Sequence, residues 1–372
     1  MKSVRLGVSL TLVAVPLIPS GAQAQTTDVD VHVGGLLRTG LRAEPSEIGR
    51  DQFEIFDARV GVSGHIGLIF DYDAVTEWDD EQDRVRLLDA TLSLPVRHDL
   101  LRLTFGQFKA PFGREELDGK GEIPLVERSQ ATLAIAPGRQ VGLQASGRAL
   151  EGRLAYWAGA FNGNGRTFEN DNDAFLTAAR VQVRTVGDVE FFEDVVIQVG
   201  ANVAFSSDSA LPLLPVSARG VPGGVERPIR DTFTGDRFLW GGDLRFSYLG
   251  YFFNAEYLRG EYEFDMPFFR ITGGGTSVSV APGEELDAEG FILEGGYRVW
   301  GALDAFLRYD DFDPAIAEAG VPNRSKFVVL GLNLHPGFYA KVGLQYAIGV
   351  DGTRRGVGLA DEQFLLNLQL DF

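Results

Sequence analysis

The feature that most constrains the fold is a two-residue alternation running through nearly the whole chain. In "QVGLQASGR" Gln140, Gly142, Gln144, Ser146 and Arg148 share one face, and Val141, Leu143 and Ala145 share the other. "AARVQVR" sets Arg180, Gln182 and Arg184 against Ala179, Val181 and Val183; "VVIQVGANVAF" sets Gln198, Gly200 and Asn202 against Ile197, Val199, Ala201 and Val203. Successive side chains of a strand point to opposite faces, so these are half-buried strands, and no long 3.6-residue period competes with them. Turn residues divide the pattern into about 16 strands: 31–42, 53–64, 66–77, 84–96, 100–108, 138–148, 152–162, 174–186, 194–206, 237–249, 251–264, 287–299, 301–312, 325–335, 337–349 and 361–372.

The connections alternate in length. Those after the even strands are short, such as "HIG" at 65–67 and "HPG" at 335–337, and those after the odd strands are longer: 109–137, about 207–236 and about 265–286 for the third, fifth and sixth. Every odd strand then ends at one rim and every even strand at the other. Even strand number, short turns at one rim and long loops at the other describe an all-β transmembrane antiparallel barrel of the outer membrane, with short periplasmic turns and long outer loops. Closure leaves no unpaired edge in hydrocarbon, where an amide finds no water. Tyr156, Trp157, Trp240, Phe246, Tyr248, Tyr297, Trp300, Phe338 and Tyr339 lie near strand ends, where interfacial girdles belong. A soluble β-sandwich needs neither feature.

The N-terminus supplies the compartment. Lys2 and Arg5 precede an apolar run from Leu6 to about Ile18, and Ala22 and Ala24 form the small-residue pattern of a cleavage site. A signal peptide over 1–24 is expected, leaving 25–372 as one outer-membrane barrel domain of a Gram-negative bacterium, set in lipid and lipopolysaccharide. Losing Lys2 and Arg5 takes the net charge from −18 to about −20, which disfavours nucleic acid as a partner. With no cysteine, neither a disulfide framework nor a cysteine metal site is available.

In a barrel the alternation assigns wall charges to the lumen. The basic set is Arg59, Arg102, Arg148, Arg180, Arg184, Arg245, Arg298, Arg308 and Lys341; the acidic set is Asp57, Asp89, Asp243, Glu256, Glu294, Asp304 and Asp310. The acidic excess lies mostly in loops and rims, such as "EWDDEQD" at 77–83, so the wall is near balance or slightly basic. Rings of charge decide ion preference in pores. The third loop exceeds what a turn requires, and its apolar residues Ile123, Pro124, Leu125, Val126 and 133–135 suit a loop folded into the lumen against the wall. It carries Lys109, Arg114, Lys120, Arg128 and Arg139 as constriction candidates, mixed with Glu115, Glu116, Asp118, Glu122 and Glu127.

Four stretches carry a family resemblance: "LTFGQFKAPFGREEL" at 103–117, "AGAFNGNGRTFENDNDAFLTAARV" at 158–181, "LDAFLRYDDFDP" with "NRSKFVVLGLNLHP" at 303–336, and the ending "LLNLQLDF". The sequence resembles the phosphate-selective porin O and P family. The resemblance implies a sixteen-stranded porin, a homotrimer, an inward third loop, and basic residues guiding anions such as phosphate to a constriction. Lys109 and Arg114, flanking "APFG", are the first candidates for that constriction. The half-acidic loop departs from the family's arginine and lysine concentration.

Chemistry of other kinds finds little support. His32, His65, His98 and His335 all fall at the periplasmic end with no consistent Ser or Asp partner, so no catalytic nucleophile–base pair is expected. "NDND" at 170–173 lacks the glycine and final glutamate of a calcium loop, so no metal or cofactor site is expected. The expectation is a passive porin for small hydrophilic solutes, preferring anions, with phosphate or polyphosphate as candidate solutes. A general non-selective porin and a non-conducting structural or adhesive barrel are the alternatives. In "LLNLQLDF" Leu366, Leu368, Leu370 and Phe372 face lipid, with Asn367, Gln369 and Asp371 inside. The terminal Phe372 resembles the signal that the outer-membrane assembly machinery reads.

Overall fold

The computed structural model describes residues 29–44, 51–67, 69–79, 84–166, 170, 172–185, 195–212, 232–266, 268–271, 277–299, 302–314, 324–350 and 362–372. The signal-peptide expectation over 1–24, Trp300 and most of the fifth loop lie outside these residues.

Sixteen antiparallel strands close into a barrel. In chain order they begin β1 (His32–Ala43), β2 (Gln52–Ile66), β3 (Phe70–Asp79), β4 (Arg84–Arg97), β5 (Leu101–Lys109) and β6 (Arg139–Ala149). Next come β7 (Leu154–Phe161), β8 (Leu176–Arg184), β9 (Val196–Pro212), β10 (Thr232–Tyr248) and β11 (Tyr251–Phe264). A small ribbon, β12 (Phe268–Ile271) with β13 (Ser277–Val280), sits in the sixth loop outside the wall. The wall ends with β14 (Glu285–Val299), β15 (Leu303–Asp313), β16 (Ser325–Gly337), β17 (Ala340–Gly349) and β18 (Glu362–Asp371). Sequential neighbours pair, and β1 pairs with β18 from Leu36↔Asp371 to Ala43↔Phe364. Phe372 extends that seam: Gly35 N–H donates to Phe372 O at 2.9 Å, and Phe372 N–H donates to Gly35 O at 3.1 Å.

The two faces separate as the alternation requires. On β18 Leu368 and Leu370 are 48% and 52% exposed, whereas Asn367 and Gln369 are 2% and 3% exposed. Val199 and Val203 on β9 are likewise outward and open, with Gln198 and Asn202 buried inside. Exposed aromatics mark strand ends, among them Tyr248, Tyr251, Tyr297, Phe338 and Tyr339, whereas Trp240 falls mid-strand because β10 is longer than expected. Trp157 departs from the expected girdle. Its register partners are Ser146 and Arg180, which places it on the inner face.

Two boundaries also depart. The first hairpin on the periplasmic side turns after Ile66 rather than at "HIG", so His65 stays in β2 opposite Asp71. β9 and β10 run further outward than the alternation indicated, pairing as far as Pro212↔Thr232. Among the described residues no helix is long and apolar enough to cross a membrane, and the crossing is made by strands.

Candidate functional site

The third outer loop, 110–138, leaves β5 and returns to β6, yet its partners lie on strands far around the ring. Gly113, at φ 73°, turns the chain so that its N–H donates to Asn202 Oδ1 on β9 at 3.3 Å. The next two amides, of Arg114 and Glu115, donate to the Glu256 carboxylate on β11 at 2.6 and 3.0 Å. They open a four-residue helix, α1 (Arg114–Leu117), whose first N–H groups have no partner within the helix. A second short helix, α2 (Gln130–Ile135), is capped by Ser129, whose Oγ accepts from Thr132 N–H at 3.0 Å.

Between the helices the loop sweeps past β2, β1 and β16–β18. Lys120 Nζ lies 2.8 Å from Asp57, which also binds Arg38. Lys341 Nζ donates to Gly121 O at 2.9 Å and Ile123 O at 3.1 Å, and Asn333 Nδ2 donates to Pro124 O at 2.8 Å. Arg42 meets Glu127 at 2.7 Å, and Arg38 Nη1 donates to Val126 O at 2.9 Å. All these wall residues belong to the polar inner face, so the expected inward fold of the loop describes the contacts seen.

An apolar cluster completes the anchoring. Loop residues Ala110, Phe112, Ala131 and Ile135 pack with inward residues of the wall, among them Phe161, Leu176, Leu239, Leu258, Phe264 and Phe312. Phe112 is 0% exposed. Polar-inside alternation is therefore broken in the outer part of β7–β15, where the loop supplies the other half of a dry core. Phe233 meets Tyr262 and Phe264 edge-on, at centroid distances of 5.6 and 4.9 Å, in the arrangement aromatic quadrupoles prefer.

The basic constriction candidates are held rather than presented. Arg128 donates to the carbonyls of Glu115, Glu116 and Asp118 at 2.9, 3.0 and 2.7 Å. Arg114 pairs with Asp118 at 3.0 Å, Arg139 grips Asp89 through two bonds of 3.0 and 2.8 Å, and Lys109 Nζ donates to Leu117 O and Asp118 O. On the wall Arg180 is clamped to Asp243 at 2.6 and 2.9 Å, and Arg308 sits between Glu115 at 2.5 Å and Asp310 at 2.7 Å. Arg114, Arg128, Arg180, Arg308 and Lys341 are all buried, packed between loop and wall.

The remaining candidates stay accessible or half-buried. Arg59 joins Asp57 and Glu77 at 2.9 and 2.8 Å; Arg102 joins Asp71; Arg245 joins Asp118 at 2.5 Å; Arg298 joins Asp304 at 2.6 Å. Arg148 and Arg184 are exposed near the periplasmic ends of β6 and β8, and neither side chain has a partner among the described residues. Alternation also puts Arg38 and Arg42 on one face with Leu36 and Gly40. Arg38 is 1% exposed and is the wall's main grip on the loop's far turn.

The histidines differ from expectation, since each has an aspartate partner. His32–Asp30 and His335–Asp304 lie at 2.9 Å, His65–Asp71 at 2.5 Å and His98–Asp99 at 3.2 Å. His65 and His335 meet aspartates that also bind Arg102 and Arg298, so these are rim ion clusters. None of their hydrogen bonds reaches a Ser or Thr hydroxyl. Asn170 and Asn172 accept from Asn172 N–H and Ala174 N–H, so these side chains shape their own turn. Among the described residues no group of His, Asp and Glu could hold a metal ion.

Comparison with known proteins now bears on this barrel and its loop. Residues 40–185 match the phosphate-selective porin O and P family. That segment holds β2–β8 and the whole third loop, so the match bears out the resemblance carried by "LTFGQFKAPFGREEL". No curated protein sequence matches the chain. Among solved structures the chain is similar to an anion-selective porin from Comamonas acidovorans, with 11% identity, a TM-score of 0.62, and 93% of this chain and 100% of that one covered. It is similar to OmpF of Salmonella typhi in complex with daunomycin, with 11% identity, TM-score 0.64, and coverage of 92% and 98%. It is also similar to the trimer form of OmpT of Vibrio cholerae, with 14% identity, TM-score 0.60, and coverage of 92% and 99%. At these identities the structures speak for the fold. Family match and barrel together make this chain an outer-membrane channel for small solutes.

Proposed function

We propose that the channel passes small hydrophilic solutes by passive diffusion, with a modest anion preference and no dedicated phosphate site. What supports this reading is the third loop: 110–138 contacts inner-face residues of the closed barrel through both ion pairs and an apolar core, an arrangement suited to narrowing the lumen. A phosphate-selective constriction needs several free cations converging where water is excluded. Here Arg114, Arg128 and Arg139 already have carboxylate partners. Of the wall candidates, Arg148 and Arg184 at the periplasmic mouth have no side-chain partner among the described residues, and there they raise the local anion concentration without binding it tightly.

A homotrimer in outer-membrane lipid and lipopolysaccharide fits this reading, as do export on the segment 1–24 and assembly through the Phe372 strand end. The OmpT structure named above is a trimer form, and the anion-selective porin shares the fold. The test is a planar bilayer with purified, folded protein. Stepwise conductance is expected, with a reversal potential in a KCl gradient on the anion side and little block of chloride current by phosphate. A cation-side reversal potential would refute the preference. Strong phosphate block would restore the phosphate-selective reading, and no conductance would favour the closed structural barrel.

A further inference from the structure

The inner wall is not equally covered around the ring. From β8 through β18 and across β1, inward side chains are buried along most of their length, for example Asn202, Asn254, Glu294, Asn333 and Asn367, each under 8% exposed. The third loop lies on that arc, binding β9, β11, β15, β16, β17 and β18. On β2–β6 Asp57, Glu77, Ser93, Gln140 and Gln144 are buried as well, but other inward positions stay partly open. One register row there runs Ser63↔Asp73, Asp73↔Thr91, Thr91↔Gly106 and Gly106↔Gly142, and each of these five residues keeps partial exposure. Phe161 packs close to Gly142 at one end of the row, Ser63 and Thr91 flank Asp73 with small side chains, and Asp73 is the row's one charge.

Asp73 is also unusual in its pairing. Its neighbours Asp71, Glu77 and Asp89 each hold an arginine, namely Arg102, Arg59 and Arg139. Asp73 has no hydrogen-bond or ion-pair partner among the described residues, and the charges acting on it are Asp89 and Arg139, which are occupied with each other. An unpaired carboxylate is retained comfortably only where water reaches it. We propose that the water-filled part of the lumen is an eccentric passage against β2–β6, and that Asp73 is its specificity-determining residue, opposing anions at mid-wall. The role in selectivity rests on the channel reading above; the location of the water does not.

Because the chain has no cysteine, single thiols report access without background. Asp73→Cys, with Thr91→Cys as a second reporter should the first fold poorly, is treated in the folded full-length barrel with a cationic thiol reagent, and modification is read by mass. Asn367→Cys under the loop is the control. Rapid modification at 73 or 91 with protection at 367 is expected. Protection at both 73 and 91, or equal modification at all three, overturns the passage, whether or not the protein conducts. In the bilayer Asp73→Asn should move the reversal potential further toward the anion side, and cationic modification of Asp73→Cys should do the same. An unmoved reversal potential in a conducting channel overturns the role of Asp73. Absence of conductance with rapid modification at 73 retains the passage and refutes the channel reading alone.

Discussion

Arg308 is the residue whose loss should reveal what holds the loop. Its guanidinium lies between Glu115 of the loop at 2.5 Å and Asp310 of β15 at 2.7 Å, and its exposure is 1%. Arg308→Met leaves two carboxylates buried together without their cation, and breaking such a pair costs about 3–5 kcal/mol. Glu115→Gln is gentler. Arg308 keeps Asp310, and the amide keeps an acceptor for Ser129, whose N–H and Oγ donate to Glu115 at 2.9 and 2.8 Å. That loss is about 1–3 kcal/mol, the cost of weakening one buried hydrogen-bonded group. The assay is thiol labelling of Ile135→Cys, a site 1% exposed in the apolar cluster, in the folded barrel. If labelling follows loop opening, Arg308→Met speeds it roughly 10²- to 10⁴-fold and Glu115→Gln roughly 5- to 100-fold, at about 1.4 kcal/mol per tenfold. Equal effects, or the reverse order, would falsify the claim that Arg308 is the central anchor.

Acid should loosen the same anchor. Burial pushes the Glu115 carboxyl up, but Arg308 with the hydrogen bonds of Thr132 and Ser129 outweighs it and holds the group at about 2. A depressed folded value stabilises above the unfolded one, near 4.3, and that stabilisation fades as pH falls toward 2. Pepsin cleavage within 110–138, corrected against a peptide control, should stay low down to about pH 4.5 and rise below it, and the rise should vanish in Glu115→Gln. Phe112→Ala removes a fully buried ring from the cluster, and a cost of about 3–5 kcal/mol should appear as noisier single-channel current. A steady wild-type-like current would show that the cluster does not hold the loop. Gly35→Val places a Cβ 2.4 Å from Phe372 Cζ and 2.7 Å from Arg59 O, so folding into vesicles, read by heat-modifiable gel migration, should be impaired, and deleting Phe372 should impair it likewise. Arg148→Ala with Arg184→Ala should shift reversal away from the anion side, and no shift would remove the periplasmic mouth as the source of preference.

Strand positions were legible because the alternation is local: each of the sixteen expected segments overlaps an observed one, and the seam at β18 follows from Leu366, Leu368 and Leu370 standing opposite Asn367 and Gln369. What failed were features set by distant neighbours. Trp157 looks like an interfacial aromatic by type and position, but register with Arg180 turns it inward. Phe161, Leu239, Leu258 and Phe264 break polar-inside alternation because the loop covers them, and nothing within their own strands announces a cover. The helices of the loop, four and six residues long, are too short for periodicity to detect. The basic loop residues were found by type, yet whether each was free depended on how the loop folds back on itself, as with Arg128 on the carbonyls of Glu115, Glu116 and Asp118, and on wall carboxylates brought near by the fold, as with Arg139 on Asp89 and Lys120 on Asp57.

The core inside the barrel also sets an order of events. Its members come from the loop and from strands that reach residue 312, so the loop has no surface to settle on until β7–β15 stand side by side. The wall can be sealed by backbone pairing alone, with the loop still loose within it. Maturation should therefore have two stages, the second a collapse of apolar side chains in an aqueous lumen rather than in lipid. A freshly sealed barrel would be wider and less discriminating than the finished one, and the transition between them would slow in solvents that weaken hydrophobic association while leaving the wall intact.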